Sequence, residues 1–297
     1  MKHLVVGVDG SASSEMAVYW ASALASATGA KITVAHVVDH GDCENDPGLE
    51  ALTEREDALW VEALNATRVA HDSRLLHGDP PTRILDIAAE VGADMIVIGR
   101  RAHVPVAPRL LGSFTRQLLQ RNTIPVAIVP APSEQVPREE LASTAVVGVD
   151  GTESARSVLE VAVSLSEDIG LDMHVLTVVD IHADAGTETG GPQRPNVGSA
   201  QRLLRRLVGA VDPAGGHRIA ARADVGMPAD ELLRLSQHAE VLVVGHRRRT
   251  PISTFLTHAT GRYCAAHATC PVVMVPIEPP PITANGGSLQ RILTLFS

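Results

Sequence analysis

The sequence has few aromatic residues, few cysteines and no excess of positive charge, and each shortage excludes something. Phe, Trp and Tyr make up only 2% of the 297 residues, so Val, Ile, Leu and Ala must build the cores. The net charge of −9 argues against non-specific nucleic-acid binding, which requires a basic face. The three cysteines, Cys43, Cys264 and Cys270, are odd in number and lack metal-site spacing, which favours free thiols in the cytoplasm.

Long apolar segments and familiar catalytic motifs are also missing. No run of about 18 apolar residues occurs, so a membrane span is not predicted. The apolar run at the amino terminus breaks at Gly7 and Asp9, which indicates a first strand and not a targeting segment. The 13 histidines form no HExxH pattern, and GxSxG, GxxxxGK(S/T) and GxGxxG are all absent. These absences argue against NTPase motors and dehydrogenases.

What the sequence does contain is an internal repeat. Residues 3–11 read HLVVGVDGS, and residues 144–152 read TAVVGVDGT. Six blocks of this kind recur in the same order, which indicates duplication of one unit. We therefore predict two tandem domains, at 1–132 and 143–278, with a Pro- and Glu-rich linker at 131–142 and a tail at 279–297.

Each copy alternates aliphatic strands with helical segments, the pattern of βαβ units in a parallel sheet. Two doubly wound, five-stranded, Rossmann-like α/β domains are the predicted fold. Such sheets bind ligands at the carboxyl ends of their strands, so the residues that follow strands one, two and four are the candidates. The predicted strands lie near 3–8, 31–38, 73–76, 94–98 and 125–129, and near 144–149, 172–179, 217–223, 240–244 and 271–275.

The loop after the fourth strand of the first copy has the features of an anion site. Gly112-Ser113 opens the next helix, where free backbone N–H groups and the helix dipole favour an anion. The hydroxyls of Ser113 and Thr115 add donors, and Arg100 adds charge. On the loop alone, the simpler interpretation is that Ser113 caps a helix and Gly99 forms a turn.

The strand HLVVGVDGS, a GxP before a helix and the segment VIGRRA…LLGSFT…IPVAIVP together resemble the universal stress protein family, in which tandem members occur, including in mycobacteria. ATP-binding members carry a glycine, two residues, a second glycine, nine residues and then Gly-Ser or Gly-Thr. Here Gly99 matches the first glycine and Gly112-Ser113 the last pair, whereas Ala102 replaces the second glycine. The resemblance implies an ATP site, with or without Mg²⁺. Ala102 in place of the second glycine weakens this site at most and does not abolish it.

The same resemblance assigns further residues of the first copy to the nucleotide. It places Asp9 and the backbone of Gly7 at the nucleotide and Val38 beside the adenine, and it includes Phe114 and Thr115 with the helix opening. The alternative for Asp9 is a cap for the helix that follows. That alternative applies equally to Asp150 in the second copy.

In the second copy the same loop is degenerate. Gly245 matches the first glycine, but Arg248 stands at the second and His258-Ala259 replace Gly-Ser. We predict that this copy does not bind ATP in the family manner. The basic run HRRR at 246–249 leaves two interpretations open, a different phosphate contact or a solvated loop.

The leading hypothesis is a stress-response regulatory protein that binds ATP in its first domain. The alternatives are a non-nucleotide interaction or dimerisation scaffold with a decayed site, and a slow ATPase, for which no base or metal ligand is assigned. The resemblance implies antiparallel pairing of IPVAIVP (124–130) with CPVVMVP (270–276) inside one molecule. It leaves homodimerisation and any protein partner open.

Overall fold

The computed structural model describes residues 1–38, 64–65, 68–101, 111–135, 137, 141–152, 154–180, 197–247 and 259–277. The strands are β1 (His3–Val8), β2 (Lys31–Val38), β3 (His71–His77), β4 (Met95–Gly99), β5 (Val126–Val129), β6 (Ala142–Gly148), β7 (Asp172–Asp180), β8 (Ile219–Gly226), β9 (Ala239–Arg247) and β10 (Val272–Ile277). The helices are α1 (Ala12–Thr28), α2 (Pro80–Glu90), α3 (Ser113–Arg121), α4 (Ala155–Ile169), α5 (Val197–Val211), α6 (Pro228–Ser236) and α7 (Ala259–His267), and a 3₁₀ turn covers Pro132–Glu134.

The ten strands form one sheet in the order β3-β2-β1-β4-β5-β10-β9-β6-β7-β8. Every neighbouring pair is parallel except β5 with β10. Each half therefore repeats one doubly wound order, which confirms the predicted fold class. In each half the chain direction across the sheet switches between the first and fourth strands, β1 and β4 or β6 and β9, and this opens a crevice at their carboxyl ends.

The inner strands are buried on both faces because helices cover the sheet from both sides, whereas the edge strands β3 and β8 are mostly half-buried or exposed. Leu4, Val5 and Val6 are all 0% exposed, and alternate residues enter opposite cores, as the two-residue period of a strand requires. Helices α1, α4 and α5 pack on one face, and α2, α3, α6 and α7 pack on the other. Aliphatic side chains fill both cores, in keeping with the shortage of aromatic residues.

Local signals set the helix ends. The Ser11 side chain accepts the Ser14 N–H at 3.2 Å and caps α1. The same helix ends at Gly29, whose φ of +71° suits glycine and whose N–H reaches the Ala25 carbonyl at 2.8 Å. Helix α4 ends in the same way at Gly170, with φ +72°.

The two halves meet at β5 and β10, where Ala127 faces Val273 in antiparallel register. These two residues occupy equivalent places in the repeat, so the contact has local two-fold pseudosymmetry. Both hydrophobic cores contain residues from each half, and they run without a break across this pair of strands. The arrangement leaves β3 and β8 as the edges of the sheet.

Most strands differ from the predicted bounds by one or two residues at an end, and two of them, β8 and β9, run three residues beyond their predicted ends. Strand β9 runs to Arg247, beyond the predicted end at 244, because β10 continues beside it and pairs Pro276 with His246 and Ile277 with Arg247. Strand β8 begins later and ends at Gly226 because its register with β7 extends to Asp180. Both extensions come from pairing partners and not from the strand sequences themselves.

Candidate functional site

A cavity of about 670 Å³ opens at the carboxyl ends of β1, β4 and β5. Its lining comes from three segments: the turn from β1 into α1, the residue after the β4 end, and the start of the linker. The lining residues are Asp9, Gly10, Ser11, Ala12, Ser13, Arg101, Ala131, Pro132 and Ser133. The topology brings these segments together because β1 and β4 are neighbours at the switch in chain direction.

Asp9 is the acidic residue of this cavity. Its carboxylate accepts the Ser11 N–H at 3.2 Å and the Ser11 hydroxyl at 2.5 Å, and it lies 3.5 Å from an Arg101 guanidinium nitrogen. Burial alone would raise the pKa of Asp9, but the hydrogen bonds from Ser11 and the charge of Arg101 outweigh it, so the pKa lies below its ordinary value. The carboxylate is thus held ionised beside an arginine that is 88% exposed.

The predicted glycines of the first copy have packing reasons of their own. Gly99 ends β4, and a Cβ there would lie 2.4 Å from the backbone carbonyl of Ser13 and 2.6 Å from the Ser14 nitrogen. Helix α1 therefore begins directly against the end of β4, and only glycine fits this approach. Gly7 lies within β1, where a Cβ would come 3.3 Å from Ile84.

Arg100 does not point toward the cavity. Its guanidinium donates to the Ala265 carbonyl at 2.8 Å and the Ala268 carbonyl at 2.7 Å in the second domain, and it pairs with Glu134 at 2.7 Å. The prediction that Arg100 supplies charge to a phosphate therefore does not match its placement. The neighbouring Arg101, which the sequence did not single out, takes the position beside Asp9.

The helix opening predicted to hold phosphate lies at the start of α3. Gly112 is its N-cap residue, without a side-chain cap, and a Cβ there would meet nothing within 4 Å. Ser113 is exposed, Phe114 is half-buried and Thr115 is 7% exposed. Ala102 lies outside the described residues, as does the loop up to residue 110. Val38 ends β2 and accepts the Gly78 N–H at 3.0 Å; neither it nor this helix opening lines the cavity.

The second copy repeats the pairing of an aspartate after the first strand with an arginine at the carboxyl end of the fourth. Asp150 accepts the Thr152 N–H at 3.0 Å and its hydroxyl at 2.7 Å, and Arg247 donates to Asp150 at 3.0 Å. Arg247 occupies the place of Arg101 in the repeat, but it is only 23% exposed. One signal for this pair was present in the sequence, since an arginine stands two residues after both Gly99 and Gly245.

The phosphate-loop half of the second copy is only partly described. Helix α7 begins at Ala259, which brings no hydroxyl to the position of Ser113. A Cβ on Gly245 would lie 3.2 Å from both Val158 and Ile277, so this glycine also has a packing role. Arg248 and His258, on which the predicted loss of ATP binding rests, lie outside the described residues.

Comparison with known proteins places the chain in a family. The sequence model of the universal stress protein family matches residues 1–130 and again residues 143–276. The chain belongs to the universal stress protein family. The match is tandem, as the repeat indicated.

The chain is also similar to individual relatives and solved structures. Universal stress protein Rv2005c of Mycobacterium tuberculosis is 25% identical over 289 residues, which cover 91% of this chain and 96% of the relative. A solved universal stress protein from Archaeoglobus fulgidus DSM 4304 has a TM-score of 0.71 at 18% identity and covers 92% of this chain and 98% of its own, which shows the shared fold. A solved universal stress protein in complex with cAMP is 30% identical, with a TM-score of 0.37, over 44% of this chain and 97% of its own.

The described residues contain neither a membrane-spanning helix nor a metal-binding cluster. None of the helices there is both long and apolar enough to cross a bilayer. No group of three or more His, Cys, Asp and Glu side chains in the described ranges is arranged to hold a metal ion.

Proposed function

We propose that this universal stress protein is a regulatory protein of the stress response and binds ATP at the carboxyl ends of the strands in its first domain. The observation that carries the proposal is the Asp9–Arg101 pair in a cavity at the switch between β1 and β4. Crevices at this place are where doubly wound sheets bind ligands, and a volume of about 670 Å³ lies within the usual range for small-molecule sites.

The chemistry of the pair suits a nucleotide. An ionised carboxylate can accept hydrogen bonds from ribose hydroxyls, as acidic residues do in dinucleotide-binding sheets. Arg101 is 88% exposed, and a surface ion pair contributes little to stability, so a phosphate can recruit its guanidinium at small cost. The Gly99 to Gly112-Ser113 spacing, which follows the family's ATP pattern, supports the same ligand.

We propose further that the second copy does not hold ATP in this way. Arg247 is more buried and lies closer to Asp150, so a ligand gains less by recruiting it. Ala259 also lacks the hydroxyl of Ser113.

The free thiols of Cys264 and Cys270 suit a cytoplasmic protein, and burial raises the pKa of each to about 12, which keeps both thiols protonated.

A direct test is to denature the purified protein and search for released nucleotide by mass spectrometry. Added ATP at 100 times its dissociation constant should raise the free energy of unfolding by about 2.7 kcal/mol in a thermal-shift assay. We expect Arg101→Gln to weaken ATP binding about tenfold, in line with the loss of one charge-assisted contact. The thermal-shift assay is also run with cAMP in place of ATP.

The second copy supplies the matched control. Arg247→Gln removes the equivalent guanidinium and should leave ATP affinity unchanged. An absence of both released nucleotide and thermal shift up to millimolar ATP contradicts the proposal. So does an affinity that falls with Arg247→Gln but not with Arg101→Gln.

One observation favours the second candidate, an interaction scaffold without a nucleotide. The close packing of Gly99 against α1 accounts for that glycine without any ligand. A scaffold predicts that Gly112→Glu leaves partner binding unchanged. The nucleotide proposal predicts that the same variant abolishes the thermal shift.

A further inference from the structure

The linker between the two domains forms one wall of the first-domain cavity. Ala131, Pro132 and Ser133 line the cavity across from Asp9 and the start of α1. Two of these residues belong to the 3₁₀ turn Pro132–Glu134, which we call the linker turn. A ligand in this cavity therefore contacts the segment that leads into the second domain.

A buried ion pair holds the linker turn in place. Glu134 lies 2.7 Å from the Arg100 guanidinium, and the two side chains are only 11% and 9% exposed. The backbone N–H of Glu134 closes the turn onto the Ala131 carbonyl at 2.9 Å. Because a buried charge without its partner is costly, the position of the turn is tied to the position of Arg100.

Arg100 in turn is anchored in the second domain. Its guanidinium donates to the carbonyls of Ala265 and Ala268, at the carboxyl end of α7. Carbonyls at a helix carboxyl terminus attract a cation, because they lack partners within the helix and carry the negative end of its dipole. The linker turn is thus joined to the end of α7 through the Glu134 carboxylate and the Arg100 guanidinium.

The equivalent contact from the second domain to the first uses a different side chain. His246, which occupies the place of Arg100 in the repeat, contacts the Leu119 carbonyl near the end of α3 at 3.1 Å. Leu119 is in turn the repeat equivalent of Ala265. The connection through a buried guanidinium–carboxylate pair starts from the domain that has the candidate site.

We propose that Arg100 and Glu134 are positioning residues that make nucleotide binding in the first domain depend on the contact with the second domain. This inference rests on the proposed function of the cavity. When the pair is intact, the linker turn is already placed for the ligand. When it is broken, the ligand must order the wall, which weakens binding. By thermodynamic reciprocity, bound nucleotide tightens the contact between Arg100 and α7.

The test uses the full chain and compares ATP affinity by titration calorimetry in the wild type and in Glu134→Gln. The amide keeps the shape and the acceptor but removes the charge, and we expect about a tenfold rise in Kd, a typical size for coupling between sites. The control is Glu160→Gln, which removes the charge from an exposed ion pair with Arg156 of 2.8 Å. This control should leave Kd unchanged.

A second measurement separates positioning from general destabilisation. Hydrogen exchange in the wild type should slow in the linker turn and in α7 around 265–268 when ATP is added. Glu134→Gln should lose the effect in α7, and Glu160→Gln should keep it. If Glu134→Gln fails to fold, the wild-type exchange decides: protection that stops at the first domain overturns the inference.

The two proposals fail in different ways. If the wild type does not bind ATP, the proposed function falls and this inference falls with it. If the wild type binds ATP and Glu134→Gln binds it equally well, with α7 unaffected by the ligand, only the inference is overturned.

Discussion

At the residue scale, Gly99 and Gly112 are glycines for different reasons, although both belong to the same family pattern. A Cβ on Gly99 would collide with the backbone of α1, 2.4 Å from the Ser13 carbonyl. Gly112 has a negative φ of −57° and open space around its Cα. Protein packing therefore explains the first glycine, whereas no packing contact among the described residues requires the second to be glycine.

This difference predicts opposite outcomes for two alanine variants. Gly99→Ala should lower the free energy of unfolding by about 1–3 kcal/mol or more, because the rigid backbone of α1 has to move. Gly112→Ala should change it by less than about 0.5 kcal/mol, because the methyl group enters open space. Urea denaturation of the ligand-free protein measures both. Equal losses in the two variants would contradict the packing explanation for Gly99.

At the scale of elements, a polar cluster joins the helices of the second domain at the end of the sheet opposite the candidate site. His217, just before β8, lies 2.8 Å from Glu167 of α4. Its Nδ1 is 3.2 Å from Asp212, which follows α5, and the backbone N–H groups of Gly216 and His217 donate to the same carboxylate. The hydrogen bond with Glu167 and the ion pair with Asp212 raise the pKa of His217 above its ordinary value.

The raised pKa predicts a stability that depends on pH. A group with a higher pKa in the folded state stabilises the fold fully below its unfolded value, near 6.5, and this contribution is lost as pH rises through the folded value. His217→Gln should therefore be less stable than the wild type at pH 6, by about 1 kcal/mol or less because Glu167 is exposed, and the gap should close by pH 9.

The control for this experiment is another histidine of the second domain. His174→Gln changes an exposed histidine on β7 that has no ion pair among the described residues. Its stability difference from the wild type should stay constant with pH in thermal unfolding. If the stability difference between His217→Gln and the wild type is also constant with pH, the ion pairs of His217 do not contribute to stability.

At the scale of the whole molecule, one sheet and two continuous cores join the two domains. Antiparallel pairing of β5 with β10 occupies the last strand of each domain within the chain. Arg100 and His246 add contacts across the same boundary. Domains that share a core and a sheet are expected to unfold together, whereas domains joined only by a linker unfold separately.

The distribution of tryptophan allows a test of this cooperativity. The two tryptophans, Trp20 and Trp60, both belong to the first domain, so fluorescence reports on that domain, whereas far-UV circular dichroism reports on both. We expect the two signals to give one coincident urea transition in the wild type. Arg100→Gln should shift the midpoint down, since breaking a buried pair typically costs about 3–5 kcal/mol. Separate transitions in the wild type would show that the domains are energetically independent.

Much of the architecture could be predicted because its causes are local or repeated. Aliphatic runs such as those around Val6 and Val147 indicate buried parallel strands, and the duplication indicates two equivalent five-stranded units. The position of Asp9 at the candidate site also follows from the order of elements along the chain, since Asp9 stands directly after β1 in a doubly wound sheet. These features need only short-range patterns and the rules of α/β topology.

The roles of Arg100 and Arg101 could not be obtained in that way. The two side chains are identical and adjacent, so composition and spacing cannot say which one faces the cavity. Arg100 is turned away by the carbonyls of Ala265 and Ala268, 165 and 168 residues further along the chain. A buried guanidinium must satisfy its donors, and these acceptors exist only after the second domain has packed against the first. The sequence by itself thus determined the repeat, the strands and the place of the candidate site, while the tertiary structure decided which arginine lines the cavity and which joins the domains.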